Sequence, residues 1–236
     1  SSDFNLGGRA YAKLAVMKSQ SDRCFSDADC NLLFGELKLH NLIEKALQYG
    51  SKDAWTLSEC GRILRYTDLE KAISLLEKSL AIKRHSTTLH HLGLCYELKA
   101  KQKAKYEAKR GQHRYGSNIK QKSLRFQSEI HESIEKRCAV QNIIYNRDDP
   151  CVLRAIDYYR QAIDMLYVNS PARFSLGLLL KKCERFEDAL RQFDQIIDLN
   201  SRKDGTSSKQ SGEKQEYLFT MTDSYEQAGL CLLELA

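Results

Sequence analysis

"ARFSLGLLLKKCERFEDALRQFDQIIDL", residues 172–199, holds two helical patterns joined by a short polar turn. Leu176, Gly177 and Leu180 share one face of the first pattern, and Ala189 opens the buried face of the second, twelve residues after Gly177. Small residues at these two places let antiparallel helices approach closely, while the larger side chains fill the groove to the next pair. Upstream, "RAIDYYRQAIDM" places Ala155 34 residues before Ala189. Self-similarity at a fixed period is the mark of a repeat array, whose single units cannot bury their own apolar faces.

A 34-residue period with Leu-Gly in the first helix and Ala in the second is that of the tetratricopeptide repeat. Weaker copies stand at "FNLGGRAYAKL", with Phe4, Gly8 and Tyr11, and at "AWTLSECGRIL", with Gly61. Others are "LEKAISLLEKSLAI", with Ala72, and "LHHLGLCYEL", with Leu92, Gly93 and Tyr96, while "YEQAGLCLLEL", with Gly229, has no second helix after it. The glycines at 8, 61, 93, 177 and 229 are separated by 53, 32, 84 and 52 residues, so the array is irregular. The expected fold is therefore all-α: a single tetratricopeptide-repeat superhelix over residues 1–236, built of four to five helical pairs. A basic helical insertion over about 99–145 accounts for the longest interval, and a mobile Gly, Ser and Lys-rich loop over about 201–214 for the last.

Composition agrees with helices. Only Pro150 and Pro171 interrupt a chain rich in Leu, Ala, Lys, Glu and Gln. Asp148 and Asp149 read as a turn ahead of a helix beginning near Cys151, with Asp149 as its cap. No apolar run approaches the roughly 18 residues of a membrane span, and the first residues lack a signal peptide's apolar core. A cytoplasmic location is expected. Eight cysteines include no Cys-x-x-Cys pair, and Cys60, Cys95, Cys183 and Cys231 sit among apolar residues, as reduced core thiols do. No phosphate loop, nucleophile elbow or metalloprotease motif occurs, so the chain is expected to be neither an enzyme nor a cofactor or metal carrier.

"LHHLGLCYELKAKQKAK", residues 89–105, followed by "KRGQHR", residues 109–114, resembles the interferon-induced proteins with tetratricopeptide repeats. The resemblance covers about 54–115, and 150–200 as generic repeats. It implies an antiviral, innate-immune superhelix whose basic channel grips the 5′ end of single-stranded RNA, and, because family members are longer, a fragment or a divergent relative. Two departures bear on that chemistry. His90 and His91 stand where the family has His then Gln, and Trp55, Ser58 and Glu59 lie where RNA-binding members carry Tyr and Arg.

In a tetratricopeptide superhelix the first helix of each pair lines the concave face. Counting from each glycine gives Arg9 and Lys13; Trp55, Arg62, Arg65 and Tyr66; His90; and Lys181 and Lys182, with His91 a further candidate beside His90. Cations on phosphates with bases stacked on Trp or Tyr would suit single-stranded RNA or another nucleic acid. Equally, the aromatics can be packing residues and the cations solvated. Adjacent histidines point about 100° apart on a helix, so the pair cannot comfortably hold one metal. A second candidate is the insertion, where ten cations between 98 and 125, among them Lys101, Lys103, Lys105, Lys109, Arg110 and Arg114, face Glu107 alone. That local charge of +9 leaves about −3 for the rest of a chain whose formal charge is +6. A concentrated patch can attract an acidic partner or serve as a solvated surface. Two functions follow: a scaffold for a protein partner, the commonest use of such solenoids, or a nucleic-acid effector. The face left open beyond Gly229 would also allow homo-oligomers through uncapped terminal helices.

Overall fold

A computed structural model of the chain describes residues 2–24, 38–115, 144–167, 170–201 and 213–236. Every regular element among them is a helix: α1 (Ser2–Cys24), α2 (Leu39–Gly50), α3 (Ala54–Leu64), α4 (Leu69–Ile82), α5 (Ser86–Tyr115), α6 (Pro150–Met165), α7 (Ser170–Lys182), α8 (Phe186–Ser201) and α9 (Glu213–Leu235). None of them is long and apolar enough to cross a membrane.

Local chemistry sets the boundaries. Asp53 starts α3 by accepting the Thr56 amide, and Asp68 starts α4 by accepting that of Lys71. Asp149 accepts from the Cys151 amide at 2.8 Å, so the expected cap is in place. Both prolines fall in a first turn, where a missing amide hydrogen costs no helical bond. The α7–α8 turn closes differently, with the Arg185 amide reaching the Leu180 carbonyl and Glu184 at φ 57°. This is the left-handed ending of a helix, where glycine is the usual residue.

The chain divides into two compact units. The first comprises residues 1–95 with 164–167. In it α1 packs on α2 and α3 on α4, and both α1 and α2 also touch α3. Their shared core holds Ala12, Leu42, Ile43, Ala46, Leu57 and Cys60. Gly61 is where α3 meets α4: a Cβ there would lie 2.7 Å from Leu76 Cγ.

The second unit comprises residues 96–163 with 168–236. Here α8 packs between α7 and α9, and α7 also touches α9. A Cβ on Gly177 would fall 2.6 Å from the Phe193 ring, which repeats at α7–α8 the close approach seen at Gly61. The later part of α5 faces α6, where the Tyr96 and Tyr158 rings stack 5.5 Å apart and the Tyr159 hydroxyl donates to Glu97 at 2.9 Å. The lysine-rich stretch from Lys99 to Lys105 thus continues the helix that begins at Ser86. The rest of the expected insertion, 116–143, lies outside the described residues, as does most of the loop expected over 201–214. Cys60, Cys95, Cys183 and Cys231 are free and buried, as apolar spacing predicts.

Candidate interaction groove

The first unit holds a groove of about 730 Å³, and the first helices of its pairs line it. One face of α1 supplies Arg9 and Lys13, four residues apart, and the start of α3 supplies Trp55, Ser58 and Glu59. The first turns of α5 add Thr87, Thr88 and His91, and the short connection after α4 adds Lys83 and His85. Trp55 is 38% exposed, so part of it is open to the groove and solvent.

Hydrogen bonds fix the floor. Arg9 donates to both oxygens of Asp53, at 3.0 and 2.8 Å, and the Thr56 hydroxyl donates to the same carboxylate at 2.7 Å. Burial pushes the Asp53 carboxyl up, but hydrogen bonds from Arg9 and Thr56 outweigh it and hold the group below the usual carboxylate range. Ser58 and Thr88 hydroxyls meet at 3.0 Å, tying α3 to α5, and the Ser79 hydroxyl donates to the Ala54 carbonyl at 2.6 Å.

Four of the ten concave-lane candidates line this groove: Arg9, Lys13, Trp55 and His91. Arg62 lies on α3 but turns to Glu59, donating through Nε and lying 2.8 Å from the carboxylate. Arg65 stacks over the Tyr66 ring at 4.6 Å and donates to its hydroxyl. His90 and His91 stack on each other at 5.7 Å. Burial lowers the His90 pKa to about 4, with Arg65 adding to the effect, and burial with His90, Arg65 and Arg62 lowers that of His91 to about 3. Both rings are therefore neutral near pH 7, and His91 Nδ1 is buried without a hydrogen-bond partner.

The groove's charge differs from that of the raw sequence. Both of its carboxylates are met, Asp53 by Arg9 and Glu59 by Arg62. Lys13 and Lys83 have no ion pair among the described residues, and both are exposed. Asp53, Lys83, His85, Ser79 and Thr88 are among the lining that counting from glycines passes over. Asp53 could have been found as a cap, three residues before Thr56, and the "KRH" run 83–85 as a cationic connection between helices.

Lys181 and Lys182 belong to the second unit and are engaged there. Lys181 donates to Gln227 at 2.9 Å, and Lys182 pairs with Glu97 at 2.8 Å beneath the Tyr145 ring. On the basic arm Lys103 pairs with Asp149, while Lys105 is exposed and Lys101 half-buried on the same helix. Lys109, Arg110 and Arg114 lie on α5, but their side chains fall outside the described residues. Among the described residues no group of His, Cys, Asp and Glu side chains could hold a metal ion.

No family model matches this chain, and no curated protein matches it in sequence.

Proposed function

We propose that this chain is a non-enzymatic, cytoplasmic tetratricopeptide-repeat module of the innate-immune type, one irregular array that binds a protein partner through the groove of its first unit. The repeat reading draws support from the matching close approaches at Gly61 and Gly177. The immune reading draws on the resemblance at residues 89–114.

One observation carries the choice of a protein over RNA. A single-strand channel grips successive phosphates with many unpaired cations. Here Arg9 and Arg62 face carboxylates within the molecule and His90 and His91 are neutral, so of the groove's charges only Lys13 and Lys83 are left without an ion pair among the described residues. Such a mixed surface, with one half-open indole and several hydroxyls, suits a peptide whose polar groups are read one at a time.

RNA remains the second reading, favoured by Lys13 and Lys83 on the same groove as Trp55. Fluorescence polarisation with 5′-triphosphate, 5′-monophosphate and capped single-stranded RNAs at two salt concentrations separates the two. The protein reading expects weak RNA binding without end preference. Tight, end-specific and salt-steep binding abolished by charge reversal at Lys13 and Lys83 would replace it with the RNA reading.

A further inference from the structure

We infer that the segment taken by this groove is an acidic peptide that also carries an apolar side chain; the inference rests on the protein-binding reading above. The groove's own acids are satisfied internally: Asp53 accepts from Arg9 and Thr56, and Glu59 from Arg62. What is left for a ligand is therefore positive, namely Lys13 on α1 and Lys83 after α4. The apolar feature lining the same groove is the partly exposed Trp55.

A basic segment would meet two uncompensated ammonium groups, and the groove's carboxylates, already paired with Arg9 and Arg62, would offer it little net attraction. A neutral apolar segment could use Trp55 but would leave the lysines idle. An acidic segment satisfies both lysines without disturbing any internal pair, and an apolar side chain on it covers the exposed part of Trp55. A groove of about 730 Å³ holds a few residues of extended chain rather than a folded surface.

The test uses the full chain and three labelled probes: a short peptide alternating glutamate with leucine, the same peptide with lysine for glutamate, and a single-stranded homouridine RNA. The glutamate peptide should bind and the lysine peptide should not. Lys13→Glu with Lys83→Glu should weaken the glutamate peptide by about tenfold, since reversal replaces two attractions with two repulsions. Trp55→Ala should weaken it as well, with helical circular dichroism unchanged in both variants.

Equal binding of the two peptides, or binding indifferent to the lysine reversal, overturns the acidic assignment. If Trp55→Ala still abolished such binding, the groove would stand as a peptide site without charge preference. Binding of RNA and of neither peptide overturns the acidic assignment and the protein-binding reading together.

Discussion

Asp53 does two jobs with one carboxylate, capping α3 and anchoring Arg9 from 44 residues away. Replacing it with Ala removes the cap and leaves a half-exposed guanidinium unpaired, so Asp53→Ala should cost about 1–2 kcal/mol by urea unfolding. His90 and His91 make a different prediction. Their folded pKa values lie below the ordinary histidine value near 6.5, so between pH 6.5 and about 4 the unfolded chain binds more protons than the native one. Stability should therefore fall as pH drops through that window, and His91→Gln should flatten the slope; an unchanged urea midpoint from pH 7 to pH 5 would contradict it. The positions of Arg9, Lys13 and Trp55 can be counted from the glycines, but charge states cannot, and His91 stands one residue beyond the counted His90. Whether Arg9 is available depends on Asp53, and whether His91 is charged depends on its burial beside His90 and two arginines. Neither relation has a local sequence signature.

At the scale of elements, Gly177 and Gly229 stand in similar sequence contexts, each followed by a leucine, but in different environments. Gly177 faces the Phe193 ring, whereas nothing lies within 4 Å of a Cβ on Gly229. Gly177→Ala should thus lose about 1–3 kcal/mol through overpacking, and pairing it with Phe193→Leu should recover part of the loss. Gly229→Ala should instead gain up to about 1 kcal/mol of helix propensity, which thermal unfolding can follow. Glu184 holds a left-handed conformation at the end of α7, so Glu184→Gly should stabilise by about 1 kcal/mol. Its pair with Arg147, at 3.9 Å between exposed groups, offsets little of this. Most helices could be read in the chain because caps, prolines and small residues are local signals. The helix α2 is harder to see, since it carries no Leu-Gly mark and only the spacing of Leu42, Ile43 and Ala46 reveals its buried face. The length of α5 was also open, because a lysine run has good helix propensity yet no apolar stripe to show where packing ends.

Across the whole molecule, the helices form four pairs and a ninth helix among the described residues, but the charged sites are not spread as the net charge suggests. Lys181, Lys182 and Lys103 are engaged within the second unit, by Gln227, Glu97 and Asp149. The open groove of the first unit keeps two cations and one indole. A net charge of +6 and a cationic arm point toward nucleic acid when read from composition. Pairing of Arg9, Arg62 and Lys182 with carboxylates favours the proposed peptide instead, because it neutralises three of the charges that counting places in the lane. Trp55 is the single tryptophan of the chain, so its intrinsic emission reports on this groove alone. The direct test is to follow that emission while titrating the glutamate–leucine peptide into wild-type protein and into the Lys13→Glu, Lys83→Glu variant. The account predicts a saturable change in wild type that shifts to about tenfold higher peptide concentration in the variant. A silent tryptophan at saturating peptide, or identical curves for the two proteins, would contradict it.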